Sequence, residues 1–192
     1  MSYKTYTTDA IVCGTYDRRT SDRSYRLFTR ELGMVWADAR SVRLEKSKQR
    51  CALTDFSLVR VSLVRGKAGW KIGSVTAKQN FYHAAVDQAA RGSVVAVMRL
   101  LRRYVQGEEA QVELFDFVSD VLEVGVGSLD DRTWFDQCVA VRLLALLGYV
   151  SISKLPVTIQ TSDAGSFTAS YSTEDQVIIA DLLRVAESAS QL

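Results

Sequence analysis

The sequence predicts an α+β fold in which a first part made of short strands is followed by a helical part. Up to about residue 78, apolar residues alternate with polar ones or form short runs rich in β-branched and aromatic side chains, as strands require. From Gln79 onward, apolar residues recur at helical spacing instead. The sequence therefore predicts one domain over residues 1–79 and a helical domain over residues 80–192.

Five short strands are predicted in the first part. In the segment 58–64, three apolar residues alternate with Arg60 and Ser62, which is the period of two that marks a half-buried strand. Gly33 and the segment 66–69 are predicted turns, and Gly33 supplies a positive φ. Five strands without a long helix suggest a small barrel or sandwich. The predicted strands are 10–13, 25–29, 34–42, 58–64 and 70–76.

Four helices are predicted in the second part. Gly107 is placed to end the first and Gly148 to end the third. Segments 128–131 and 173–176 resemble capping boxes that open the third and fourth helices. Between those two helices, the segment 157–172 is predicted to contain a short hairpin. The predicted helices cover 94–105, 112–124, 134–147 and 178–185.

The two parts differ strongly in charge. Residues 1–78 carry 16 Lys and Arg against 7 Asp and Glu, whereas residues 79–192 carry 8 against 15. This asymmetry indicates an anionic partner for the first part, most simply a nucleic acid. The alternative is a soluble surface whose charge is merely uneven.

Cysteine usage argues against a metal centre. Cys13, Cys51 and Cys138 form no CxxC pair, so neither a zinc ribbon nor a disulfide framework is predicted, and we expect no metal or cofactor. The sequence opens without an apolar leader segment, and its most apolar run, 139–150, is too short to span a bilayer. We therefore expect a cytoplasmic protein.

The segment 21–33 reads Ser-Asp-Arg-Ser-Tyr-Arg-Leu-Phe-Thr-Arg-Glu-Leu-Gly. It is similar to the signature of the RecO family of DNA repair and recombination proteins. Weaker similarity covers the opening strand, a basic loop, the entry to the fourth strand and two helical stretches. These segments are 8–12, 39–50, 51–58, 114–115 and 141–149.

The resemblance implies that the first part is a five-stranded OB-type barrel. It also implies a mediator that is not an enzyme and that binds single- and double-stranded DNA and anneals complementary strands. With the partner RecR, such a protein helps RecA replace single-stranded DNA-binding protein (SSB) on DNA. Many members carry a four-cysteine zinc module, which is not expected here because no cysteine follows Cys138.

Basic residues of the first part are the main candidates for contact with DNA. Arginine binds phosphate in a bidentate manner, and a basic loop can displace several counterions. Trp36 is a candidate for base stacking, and Tyr16 is an open possibility. The alternative is a solvated loop with rings that pack in the core. The candidate DNA-binding residues are Arg18, Arg19, Arg23, Trp36, Arg40, Arg43, Lys46, Lys48 and Arg50.

A second basic group lies on the first predicted helix, where Arg99, Arg102 and Arg103 share a face by their spacing. The resemblance implies that such a stripe binds the acidic, aromatic-ended tail of SSB. The alternative is pairing with the acidic residues of 108–123.

The sequence gives little support for an enzyme. It has no Walker A, GxSxG or HExxH pattern, and the single histidine, His83, has no nucleophile motif nearby.

Two rival functions remain open, an RNA-binding OB module and a protein–protein adaptor that does not bind DNA.

Overall fold

The computed structural model describes residues 4–18, 20–160, 163–168 and 171–189. The chain forms two compact units. The first consists of residues 1–84 and 101–115, and the second of residues 85–100 and 116–192. A boundary between independently folding domains after residue 79 stays a prediction, since residues 101–115 return to the first unit.

The first unit contains a closed five-stranded barrel, which decides between the predicted barrel and sandwich. The strands are β1 (Thr5–Asp17), β2 (Arg23–Thr29), β3 (Gly33–Ala39), β4 (Ser57–Gly66) and β5 (Gly69–Asn80). They are hydrogen-bonded in the order β1-β2-β3-β5-β4, and β4 pairs with β1 to close the barrel. All pairs are antiparallel except β3 with β5, where Ala37 lies opposite Trp70. A short helix, α1 (Gln49–Ala52), lies between β3 and β4.

The interior of the barrel is filled by the alternate residues of each strand. On β4, Val59, Val61 and Leu63 are buried and Arg60 is exposed, as the period of two predicts. The third predicted strand is too long, because β3 ends at Ala39. Residues 40–42 begin a loop, although one of them still packs in the core. The buried cluster includes Ala10, Val12, Tyr25, Leu27, Val35, Ala37, Ala39, Val42, Leu53, Val59, Val61, Leu63, Trp70 and Ile72.

Residues 101–115 pack against β2 and β3 within the first unit. The guanidinium of Arg26 donates to the carbonyl oxygen of Val105 at 3.1 Å, and the rings of Phe28 and Phe115 lie 5.4 Å apart between centroids. Gly33 has a φ of +68°, as its turn predicts, and a Cβ at this position would lie 2.2 Å from the carbonyl oxygen of Glu109. Only glycine fits this close approach.

The helices are α2 (Phe81–Ala84), α3 (Gln88–Tyr104), α4 (Val112–Gly125), α5 (Arg132–Leu146), α6 (Val157–Gln160) and α7 (Thr173–Ala189). The four predicted helices are present, but α3 starts six residues earlier than predicted, and two helix caps are shifted. The side chain of Asp131, rather than Ser128, caps α5 by accepting from the backbone N–H of Trp134 at 2.9 Å. The capping box of α7 lies one residue earlier than predicted, since Ser172 and Asp175 exchange hydrogen bonds of 3.1 Å.

The predicted hairpin at 157–172 is wrong for the residues that are described there. Val157–Gln160 forms α6 and Ala164–Thr168 forms a 3-10 helix, while residues 161–162 and 169–170 lie outside the described residues. Ile159, Ala164 and Phe167 are buried, and Asp120 accepts from the backbone N–H of Ala164 at 2.9 Å. The three buried residues thus lie on two short helical segments and not on paired strands.

None of the described helices is both long enough and apolar enough to cross a membrane.

Candidate nucleic-acid interface

The first residues of the segment 21–33 make hydrogen bonds that fix the position of the basic loop, residues 40–48, which follows β3. The carbonyl oxygen of Ser21 accepts from the backbone N–H of Arg43 at 3.1 Å, and the carboxylate of Asp22 accepts from that of Ser41 at 2.8 Å. Ser41 has a φ of +53°, a conformation that is rare for a residue with a side chain. The opening residues of the signature therefore determine the path of the loop.

The basic loop, residues 40–48, is fixed at both ends, and its charged tip lies in solvent. Val42 is buried in the barrel core, and the side-chain amide of Gln49, directly after the loop, donates to the carbonyl oxygen of Gly73 at 2.8 Å. Between these points Leu44, Lys46 and Lys48 are exposed. The loop thus holds its exposed cations in a fixed position, so that binding does not require the loop to fold first.

Three of the candidate cations are already engaged by carboxylates. Arg18 pairs with Asp38, whereas Arg23 and Arg43 both pair with Asp17, at 2.9 Å and 3.6 Å between nitrogen and oxygen. Burial raises the pKa of Asp38, but hydrogen bonds from Ser24 and Arg18 outweigh this effect, and its pKa lies below the usual value. The carboxylate of Asp38 is therefore charged at neutral pH. Asp17 and Asp38 both occupy arginine donors that a phosphate would otherwise contact.

The other four candidate cations are exposed and have no carboxylate within ion-pair distance among the residues that the structure describes. Arg40 follows β3 directly, Lys46 and Lys48 lie on the basic loop, and Arg50 lies on α1. Exposed cations of this kind can bind phosphate at little cost in free energy, because no ion pair has to be broken first. We call these four residues the unpaired cations.

The outer face of β1 and β3 carries an exposed aromatic pair. Trp36 is 50% exposed and Tyr16 is 46% exposed, and their ring centroids lie 4.9 Å apart. A β-bulge between Val12 and Gly14 shifts the register of β1 by one residue and thereby places Tyr16 on the same face as Trp36. Rings exposed to this extent leave room for a base to stack.

A small cavity adjoins the aromatic pair along the strands. It has a volume of about 170 Å³ and lies beside the turn that connects β4 to β5. Lys71 is brought here by the parallel pairing of β5 with β3, which places it opposite Asp38. Sequence reasoning missed Lys71, because only the barrel topology brings it near Arg18 and Arg40. The lining residues are Arg18, Asp22, Asp38, Arg40, Ala68 and Lys71.

The remaining candidates divide between exposed and half-buried positions. Arg19 lies outside the described residues. On α3, Arg99 and Arg103 are exposed at a spacing of four residues, which puts them on one face. Arg102 is half-buried, so it contributes less to a stripe on that helix than its spacing predicts. Among the described residues there is no cluster of three His, Cys, Asp or Glu side chains that could hold a metal ion.

Comparison with known proteins gives matches to a single family. The family model described as "Recombination protein O N terminal" matches residues 1–79. A protein of Desulfitobacterium hafniense named DNA repair protein RecO is 31% identical over 145 residues, which is 75% of this chain and 52% of that relative. Relatives of the same name from Myxococcus xanthus and Dehalococcoides mccartyi are 30% and 29% identical over 118 and 147 residues.

The chain spans about half the length of these curated relatives: 48% of the Myxococcus xanthus protein and 56% of the Dehalococcoides mccartyi protein, against 61% and 75% of this chain. The family model covers the residues that form the closed barrel, and the matches to three of the relatives extend over 75–78% of the chain. The family model also covers the segment 21–33, on which the resemblance rests. The chain belongs to the RecO family.

Proposed function

We propose that this protein is a DNA repair and recombination mediator that binds single- and double-stranded DNA through the barrel. The observation that carries the proposal is the set of four unpaired cations on and beside a loop that is fixed in position. Neutralising phosphates releases counterions from DNA, and this term provides affinity without reading sequence. The curated relatives share the name DNA repair protein RecO, which supports the same function.

Binding, and not bond chemistry, is the proposed mode of action. A protein that neutralises the phosphate charges of two complementary strands reduces their repulsion and allows them to anneal. With RecR, such a protein would help RecA load onto DNA coated with SSB, and the reaction would take place in the cytoplasm. No enzymatic step is needed in this proposal, because the exchange of partners on DNA is driven by relative affinities.

The DNA-binding proposal is tested with two charge-matched variants. The loop variant replaces Arg40, Lys46 and Lys48 by alanine. The control variant replaces three cations of the second unit, Arg91, Lys154 and Arg184, by alanine. It lowers the net charge by the same amount as the loop variant. Fluorescence anisotropy with single-stranded and duplex DNA at several salt concentrations, and the rate of strand annealing, are the measurements.

The loop variant should bind both DNA forms at least about tenfold more weakly, and its log–log salt slope should be flatter by about two units or more, since each phosphate contact contributes roughly 0.7 to 0.9. It should also anneal strands more slowly, while the control variant resembles the wild type. If the loop variant is folded and keeps both its affinity and its salt slope, the loop is only a solvated surface. A protein–protein adaptor would then be the better description.

We propose further that Arg99 and Arg103 bind the acidic tail of SSB. Both side chains are exposed on one face of α3, and a cationic pair suits an acidic peptide that ends in an aromatic residue. Replacing both arginines by alanine should weaken binding of such a peptide and leave DNA affinity unchanged. The loop variant should show the opposite pattern. Equal peptide affinity for the double variant and the wild type would contradict this assignment.

A further inference from the structure

The ring of Tyr16 packs directly over Gly14. A Cβ at residue 14 would lie 3.1 Å from a ring carbon of Tyr16, which is tighter than about nine in ten real contacts of this kind, so a side chain there would push the ring away. Gly14 also lies opposite Arg26, which in turn lies opposite Trp36. The bulge and the glycine together let the ring of Tyr16 lie back over the strand and reach Trp36.

Both residues of the pair are about half exposed and form one contiguous aromatic patch. A contiguous apolar patch that is rimmed by polar residues is typical of a binding site. By contrast, Tyr25, Phe28 and Trp70 on neighbouring strands are buried. The outer face that carries Tyr16 and Trp36 is therefore a distinct surface and not a continuation of the core.

The small cavity beside the turn between β4 and β5 lies close enough to Trp36 for one nucleotide to span both. Asp38 is two residues beyond Trp36 on the same face of β3, which corresponds to about 7 Å along a strand. Around Asp38, the cavity places Arg18, Arg40 and Lys71 opposite two carboxylates. Arg40 makes no ion pair with any described residue, so it is available to a phosphate group.

We infer that Tyr16 and Trp36 form a seat for one unpaired nucleobase of single-stranded DNA, with the adjoining phosphate held in the cavity by Arg40 and Lys71. This rests on the proposed DNA binding and specifies which part of DNA the barrel contacts beyond its phosphates. A base within a duplex cannot stack on these rings without being unpaired. The seat therefore favours single strands, whereas the unpaired cations on the loop bind both forms.

The test compares strands that carry the same phosphates with and without bases. Anisotropy is measured for the full chain with a thymidine oligonucleotide, an abasic strand of equal length, a duplex and a uridine oligonucleotide. The variants are Trp36→Ala, Trp36→Phe and Gly14→Ala. Tyr82→Ala is the control, because Tyr82 belongs to another partly exposed aromatic pair of the same unit, with Phe56. Circular dichroism verifies that each variant is folded.

The wild type should bind the thymidine strand about fivefold to a hundredfold more tightly than the abasic strand, since stacking contributes roughly 1–3 kcal/mol per base. Trp36→Ala should remove this preference and leave the abasic strand and the duplex unaffected. Trp36→Phe should restore most of the preference, Gly14→Ala should reduce it, and Tyr82→Ala should retain it.

Equal binding of thymidine and abasic strands by the wild type, with a steep salt dependence, would overturn the seat and leave the proposed DNA binding intact. If neither strand binds, the proposed function itself fails. A preference for the thymidine strand that survives Trp36→Ala would also overturn the seat. Tighter binding of uridine than of thymidine would overturn the assignment to DNA.

Discussion

At the scale of single residues, the basic cluster of the barrel is two groups with different chemistry. Arg18, Arg23 and Arg43 are held by two carboxylates, whereas the four unpaired cations have none within reach among the described residues. Exposed ion pairs contribute little to stability, but they occupy the donors that a phosphate would use. If the barrel binds DNA as proposed, Asp17 and Asp38 limit the strength of that binding.

Asp17→Asn should consequently strengthen DNA binding. The change releases Arg23 and Arg43 together, and each new phosphate contact steepens the log–log salt slope by roughly 0.7 to 0.9. We expect a severalfold gain in affinity at low salt and a slope steeper by about one to two units, measured by anisotropy. Asp130→Asn, an exposed carboxylate of the second unit, is the control and should change neither quantity. Unchanged binding by Asp17→Asn would show that these arginines do not face DNA.

At the scale of elements, the period of two predicted the strands and the buried face of β4, but it could not predict the bulge that changes the face of the later residues of β1. Strict alternation from Ala10 and Val12 would place Tyr16 on the inner face of β1. The bulge reverses this, and nothing in the local sequence except Gly14 signals it. Trp36 lies on a regular strand, where alternation places it on one face with Asp38, but alternation left open whether that face is exposed. The path of the basic loop was not predictable, because it depends on hydrogen bonds from residues twenty positions away.

The turn at Gly33 carries an element-scale prediction. An alanine there would be strained at a φ of +68° and would collide with the backbone of Glu109. We expect Gly33→Ala to lower the free energy of unfolding by at least about 3 kcal/mol. Gly69→Ala is the matched control, since Gly69 has a φ of +104° but open space around it, and only the strain of about 1–2 kcal/mol applies. Denaturant unfolding measures both, and equal losses would contradict the role given to the close approach.

At the scale of the whole molecule, the charge asymmetry follows the two units. Residues 1–84 and 101–115 carry 18 Lys and Arg against 10 Asp and Glu, whereas the second unit carries 6 against 12. Sequence reasoning found this division, since charge can be counted along the chain. It did not find that residues 101–115 return to the barrel unit, because that return depends on three-dimensional contacts with Arg26, Phe28 and Met34.

This return predicts how truncated chains behave. A chain that ends after residue 79 loses the hydrogen bonds to Val105 and Gly107 and leaves Phe28 without Phe115. It should unfold at a lower temperature than a chain that ends after residue 115 and should bind more of a hydrophobic dye. Calorimetry and dye fluorescence provide the measurements. Equal melting temperatures would show that residues 1–79 fold on their own, as the sequence predicts.

In the proposed function, the barrel binds DNA by neutralising phosphates with the unpaired cations. The most direct test is the salt dependence of DNA binding by the wild-type chain, for single strands and duplexes of unrelated sequence. Four phosphate contacts predict a log–log slope of about −3 for single strands and about −3.5 for duplexes, with little dependence on sequence. A slope shallower than about −1 for both forms, or no binding at low salt, would contradict the claim.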